Sequence, residues 1–300
     1  MFEFSKDCRW FLVGQDVEVD APSSGTHEVA SAYDATAGRE RHQKPSHPAV
    51  AELRRRSNEA KRAQYHRLLP KDSFHLELAC GRGGDVLKLT HEKEAHKLFG
   101  LVGIDVSPAS VEEMRRRVTK AGLLARLFVC DIGRFEWGTA LCEQDAPKFD
   151  SVSIQFALHY FTTSPDDLRH MFQQLALVCE DHAVVFGTTM RAGVSYHPLP
   201  SPTARPTQPI HITPSHAPSF TPRLGQQISV FIQDLVQTTA GEPLMECVVD
   251  WPAMELILHE CGFHVHALRP MPNDPTGCYM EFELSYRQSL ATEFAKRHLL

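Results

Sequence analysis

The stretch HLELACGRGGDVLKL, His75 to Leu89, constrains this chain more than any other, because a strand-like run, a glycine turn and a helix-forming run follow one another without spare residues. The pattern then repeats. LVGID reads as a second buried strand, and SPASVEEMRRRVTKAG as a helix opened by Ser107 and Pro108. ARLFVCD reads as a third strand and FDSVSIQFALHY as a fourth. SPDDLRHMFQQLALVCE gives a helix opened by Ser164 and Pro165, and HAVVFGTT a fifth strand. Such alternation predicts a parallel sheet covered by helices on both faces, with ligands bound at the carboxyl ends of the strands.

Around this repeat the chain divides unevenly. Residues 1–45 are polar and rich in small residues, and are expected to form a loosely ordered lead-in to a single domain over 46–300. Pro48 to Leu69 predicts a helix that Pro48 opens and Pro70 stops; its Arg54, Arg55, Arg56, Lys61, Arg62 and Arg67 predict a largely solvated basic face. Residues 191–226 are dense in proline, which predicts an irregular insertion without helix or ladder. Beyond it, WPAMELILHECGF reads as a helix, and HVHALRP and GCYMEFELSY as two closing strands paired at the sheet edge.

Composition excludes several classes. An apolar fraction of 42% suffices for a sizeable core, and no apolar run reaches the length needed to span a bilayer. The first residues have neither the basic start nor the long apolar centre of a signal peptide, so an intracellular, non-secreted protein is expected. Eight cysteines without a C-x-x-C pair, and seventeen dispersed histidines, predict neither a metal site nor a disulfide framework. At a net charge of −6, a polyanion would have to be held by a local basic patch.

The turn and the strand ends suggest the ligand. A dinucleotide fingerprint would require glycine where Val86 stands. Asp105, ending the second strand, can accept from both ribose hydroxyls, and Asp131, ending the third, from an adenine amino group. Two such acids, with no phosphate-binding feature in the turn, suit an adenosine ligand without a pyrophosphate, namely S-adenosylmethionine. At the end of the fourth strand, Gln155, His159 and Tyr160 interrupt an apolar run, and three polar side chains in so short a space point to a site.

LRRRSNEAK, LELACGRGGDVLKL, VGIDVSPASVEEMRRR, FDSVSIQFALHYF, FGTT, GQQISVFI, VVDWP and CYMEFEL occur in an order that resembles the messenger RNA cap guanine-N7 methyltransferases, from about Val29 to Tyr286. The resemblance implies a Rossmann-like class I methyltransferase with a mostly parallel seven-stranded sheet, helices on both faces and an antiparallel edge strand. It implies S-adenosylmethionine as cofactor, S-adenosylhomocysteine as product and the capped 5′ end of RNA as substrate. A capping-apparatus protein is an implied partner, with a nuclear location in a cell or a cytoplasmic one for a virus.

Residue by residue, the resemblance gives the methionine carboxylate to Lys61, the ribose to Asp105 and the adenine to Asp131. Gln155 and Tyr160 take the methionyl end, and Ala79 and Gly81 the glycine turn. Asn58, Arg82, Lys88 and Arg117 meet the cap and its triphosphate, while His159 and Tyr279 touch the guanine. Tyr160, His159 and Tyr279 are thus the residues expected nearest the reacting atoms.

Two departures stand out. Ala79 replaces the first glycine of the family's turn, where one methyl fits if the backbone is not left-handed. Ala253 replaces a glutamate that reads the hydrogen-bonding edge of guanine in the family; Glu246, Asp250 and Glu255 are the nearby carboxylates that could stand in. Two alternatives therefore stand beside cap methylation: an RNA methyltransferase of the same descent acting on another 5′-terminal nucleotide, and a non-catalytic subunit that binds RNA or a partner.

Overall fold

The structure, a computed structural model, describes residues 47–96, 98–190, 210–214, 224–232 and 244–292. The expected lead-in over residues 1–45 lies outside them, as does most of the proline-rich 191–226 stretch.

The described chain runs α1 (Pro48–Leu68), β1 (Phe74–Leu78), α2 (Val86–His96), β2 (Gly100–Asp105), α3 (Pro108–Ala121), β3 (Ala125–Val129), α4 (Trp137–Glu143) and β4 (Phe149–Gln155). A 3₁₀ turn (Leu158–Phe161) leads to α5 (Pro165–Val178) and β5 (Cys179–Met190). β6 (Ile210–Pro214), β7 (Gln227–Ile232), β8 (Leu244–Cys247), α6 (Trp251–Glu260), β9 (Phe263–Pro270) and β10 (Tyr279–Tyr286) follow.

Two helix starts carry the signals read from the sequence: Ser107 Oγ accepts from Ser110 N at 3.0 Å and Ser164 Oγ from Asp167 N at 3.1 Å, each with proline in the opening turn. The structure adds a third, Asp250 Oδ1, which accepts from Ala253 N at 3.3 Å ahead of Pro252.

The main sheet has seven strands in the order β3-β2-β1-β4-β5-β10-β9. β1 to β5 pair in parallel, and β10 is antiparallel to both its neighbours. The closing pair sits at one edge, and the reversed strand is its inner member. Alternation of side chains across β1 explains the two layers. Leu76 and Leu78 join Trp137, Phe172, Leu175 and Met254 of α4, α5 and α6 on one face, while α1, α2 and α3 supply Tyr65, Leu89, Met114 and Val118 to the other.

α4 and the three strands β6, β7 and β8 escape the sequence analysis. α4 is short and lacks a side-chain cap. β6 lies inside the stretch expected to be irregular and pairs with β7, which pairs with β8 in a second, antiparallel sheet. Proline is tolerated there because β6 is an edge strand and Pro214 is its last residue, where a missing N–H costs the ladder least. Ile212, Ile228, Val230 and Ile232 of this small sheet pack with Val50 and Leu53 of α1 and with Met190 and Tyr279 at the ends of β5 and β10. The second sheet thereby walls off the space above the strand ends.

β1 also carries a buried polar cluster. His75 bridges Ser151 Oγ at 2.9 Å and Ser153 Oγ at 3.0 Å, and the Tyr65 hydroxyl reaches Ser153 Oγ at 3.1 Å. Burial pushes the His75 imidazole down to about 3. Below the ordinary histidine range the unfolded chain takes up a proton that the folded chain refuses, so stability should fall as pH drops from about 6.5 toward 3. Urea unfolding at pH 5 should show a loss of about 2 kcal/mol from this group relative to pH 7. A His75→Gln variant, though less stable, should lack that part of the slope; an unchanged slope would contradict the assignment.

Candidate active site

The turn after β1 is built from alternating left-handed residues, with φ of 52° at Ala79, 53° at Gly81 and 68° at Gly83. Successive N–H groups in such a backbone point to one side. One of them, Gly81 N, donates to Asp105 Oδ2 at 2.7 Å, and Ser107 N donates to Asp105 Oδ1 at 2.9 Å, which locks the turn to the end of β2. The condition under which an alanine at position 79 would be harmless is therefore not met: Ala79 is left-handed. Ala79→Gly should stabilise the protein by about 0.5–1 kcal/mol, relief of the Cβ strain exceeding the added freedom of the unfolded chain. Thermal unfolding checks this; a lower midpoint in the glycine variant would contradict it.

The strand ends present acceptors suited to an adenosine ligand. Asp131 is buried; its Oδ1 accepts from Gly133 N at 3.0 Å, while Oδ2 has no hydrogen-bond partner among the described residues. Gln155 donates through Nε2 to Gln64 Oε1 at 2.9 Å and keeps an unpartnered, buried Oε1. Arg134 Nε approaches Asp131 Oδ2 only to 3.8 Å, and buried acceptors without a hydrogen bond are costly unless a ligand's donors meet them, so these atoms suit a bound adenine amino group and a methionyl ammonium.

β4 does not run on to Tyr160 as the sequence suggested. It ends at Gln155, where Phe156 adopts φ 57° and donates its N–H to Thr188 O at 2.7 Å; His159 and Tyr160 then ride on the 3₁₀ turn. A non-glycine residue held left-handed stores strain of order 1 kcal/mol, a feature that clusters at functional sites. The reversal turns the Phe156 ring edge-on to Tyr279, with centroids 5.2 Å apart, and sets Lys61 Nζ 5.8 Å above its face.

Between the strand ends and the small sheet lies a cleft of about 650 Å³. Of the residues expected from the sequence it brings together Asn58, Lys61, Lys88, Arg117, His159, Tyr160 and Tyr279. Ala79, Gly81, Arg82, Asp105, Asp131 and Gln155 are not part of its lining. Exposed Arg54 and Arg62 join it from α1, and Val230 and Ile232 from β7. The basic face of α1 is thus divided: Arg55 and Arg56 are engaged by Glu52 and Glu59, Arg67 by Glu283, and Arg54 and Arg62 turn to the cleft.

One wall of the cleft rests on a buried charge cluster. Asp85 lies 2.7 Å from both Lys61 Nζ and Lys88 Nζ. Burial alone would raise its carboxyl, but the two ammonium groups outweigh burial and hold it below the usual range. Lys88 also donates to Asn58 Oδ1 at 2.9 Å and to Gly84 O at 3.1 Å, which engages all three of its ammonium protons. Nearby Glu77 is pushed up to about 8 by burial and by Asp85, so it is held protonated at neutral pH.

At the other end His159, buried and pushed down to about 3 by burial, is a neutral imidazole. Its ring centroid lies 4.2 Å from that of Tyr160. Tyr160 donates its hydroxyl to Glu246 Oε1 at 3.2 Å, and Glu246 Oε2 lies 3.3 Å from His159 Nε2. Of the three carboxylates considered as replacements for the glutamate missing at position 253, Asp250 caps α6, Glu255 is exposed, and Glu246 lines the cleft. Ala253 itself sits in the first turn of α6 and does not line the cleft.

Among the described residues no group of three or more histidine, cysteine or acidic side chains could hold a metal ion, and no helix is long and apolar enough to cross a membrane.

The strand order, with one reversed strand beside β5, and the acids at the ends of β2 and β3 define the class I S-adenosylmethionine-dependent methyltransferases. Solved structures share the fold. A 1,6-didemethyltoxoflavin-N1-methyltransferase from Burkholderia thailandensis is 14% identical and aligns over 91% of this chain and 98% of its own, with a TM-score of 0.51. An S-adenosylmethionine-dependent methyltransferase from Clostridium acetobutylicum is 15% identical over 78% and 92%, with a TM-score of 0.50.

Residues 19–197 match the mRNA (guanine-N(7))-methyltransferase domain, and the chain belongs to that family. It is similar to the mRNA cap guanine-N(7) methyltransferase 1 of Arabidopsis thaliana, 27% identical over 190 residues, or 60% of this chain and 50% of that protein. The mRNA cap guanine-N(7) methyltransferase of Schizosaccharomyces pombe is 26% identical over 151 residues, 48% of this chain and 41% of that protein. The chain spans about half the length of the curated relatives it matches.

Proposed function

We propose that the protein transfers a methyl group from S-adenosylmethionine to N7 of the guanosine that caps RNA. The observation that carries this reading is the make-up of the cleft: Arg54, Arg62 and Arg117 line it together with Tyr160, Tyr279 and neutral His159. A ligand that fits has an anionic stretch and a flat polar ring, as a nucleotide joined through a triphosphate does.

S-adenosylmethionine, when bound, supplies a methyl carbon already activated on a sulfonium. Asp105 would hold its ribose, Asp131 its adenine amino group, and Lys61 and Gln155 its amino-acid end. The guanine N7 lone pair would form the new N–C bond as the C–S bond breaks, leaving the C–S electron pair on sulfur and the positive charge on the purine. No proton leaves N7, so these residues need no general base. Their contribution is alignment, worth several kcal/mol at roughly the effective concentrations such sites reach, together with fixed dipoles that tolerate the moving charge.

Incubation with tritiated cofactor and GpppN-ended RNA should give label that nuclease digestion releases as the 7-methylguanosine cap. Label confined to uncapped or adenine-ended RNA would favour the second reading, methylation of another 5′-terminal nucleotide, which Ala253 motivates. Absence of any transfer would overturn both.

A further inference from the structure

We propose that Glu246 reads the bound base, its carboxylate accepting from two adjacent N–H groups on the guanine edge remote from N7. The inference rests on the functional reading above and deepens it.

Glu246 is the one carboxylate among the described residues lining the cleft, against the basic side chains of Arg54, Lys61, Arg62, Lys88 and Arg117. It belongs to β8, opposite Ile228 of β7, so it enters the cleft from the small sheet and faces the 3₁₀ turn. Two neighbours hold it from that side: Tyr160, whose hydroxyl bonds Oε1, and His159, 3.3 Å from Oε2. Neither ring nitrogen of His159 has a hydrogen-bond partner among the described residues, although the side chain is almost wholly buried. The carboxylate and the imidazole together therefore offer unmet hydrogen-bonding capacity beside aromatic surface, which is what a flat heterocycle with polar edges completes.

Burial raises Glu246 to about 7, the sign of a carboxylate short of donors. Guanine carries N1–H and the exocyclic amino group side by side, matched to the two carboxylate oxygens. The two donors of guanine favour the ionised form of Glu246, whereas adenine places a lone pair at N1, which that ionised carboxylate repels. Gripping that edge leaves N7, across the purine, free to react.

The test compares caps that differ in one group. Wild-type protein should methylate a guanosine cap at least about tenfold more efficiently, in kcat/KM, than an inosine cap, which lacks the exocyclic amino group. Glu246→Gln and Glu246→Ala should lose activity on guanosine and bring the guanosine-to-inosine ratio close to one. Calorimetric affinity for S-adenosylhomocysteine should stay unchanged, so that a global loss of structure is recognised. An unchanged ratio in either variant, or a wild type indifferent to inosine, overturns the proposal; the wild-type comparison decides even if both variants fail to fold. A wild type that methylates no capped guanosine would instead overturn the functional reading itself.

Discussion

Replacing Asp85 with alanine is expected to destabilise the fold by about 3–5 kcal/mol, because it strips the shared counter-ion from two lysines in a site that water reaches poorly. Asp85 and Lys88 are almost wholly buried and Lys61 largely so, and both ammonium groups approach the same oxygen at 2.7 Å. The arrangement is not a surface ion pair, whose loss costs about 1 kcal/mol at most. Because the folded carboxyl is held below its ordinary value, its contribution is present at neutral pH and lost as pH falls through the folded value. Urea unfolding at pH 7 measures the loss. In the double variant Asp85→Ala/Lys88→Met, which removes one of the stranded charges, part of the stability should return. A loss under about 1 kcal/mol for Asp85→Ala would mean that the cluster is hydrated and structurally idle.

Asp105→Ala should abolish cofactor binding while Tyr279→Ala leaves it intact. Asp105 closes the turn after β1 by accepting from Gly81 N and Ser107 N, so its removal loosens that turn and deletes the acceptor proposed for the ribose. Hydrogen bonds to a charged group contribute about 1.5–3 kcal/mol each, which predicts at least about a hundredfold loss of affinity for S-adenosylhomocysteine by calorimetry. Tyr279 lines the cleft beside Phe156, and its truncation should weaken binding of the cap analogue GpppG alone. Equal losses of both ligands in both variants would mean that the cofactor and base sites are wrongly divided.

Much of this is legible in the sequence because several βα units carry their own signals: a serine cap and an opening proline at the starts of α3 and α5, and an acid at the end of β2. Asp105 and Asp131 could be placed at strand ends by that logic, and the parallel sheet followed from the alternation, whereas its seven strands were implied by the family resemblance. What failed was decided by backbone dihedrals or by contacts distant in sequence. Nothing local announces that Phe156 turns left-handed and ends β4 before His159, or that Ala79 is forced left-handed by the turn it shares with Gly81. β6 was hidden by prolines that an edge strand tolerates at its end. Glu246 could be named only as one of three carboxylates, because the choice depends on how the small sheet docks on α1 and β5, which no local period records.

On the reading proposed above, the ends of β1 to β4 hold the methyl donor beside the cleft that takes the nucleotide. A crystal structure with S-adenosylhomocysteine and GpppG should then show the adenine amino group on Asp131 Oδ2, the ribose on Asp105, the sulfur near Gln155 and Tyr160, and the cap base between Tyr279 and Glu246. Electron density placing the donor anywhere but these strand ends, or the base outside the cleft, would contradict it.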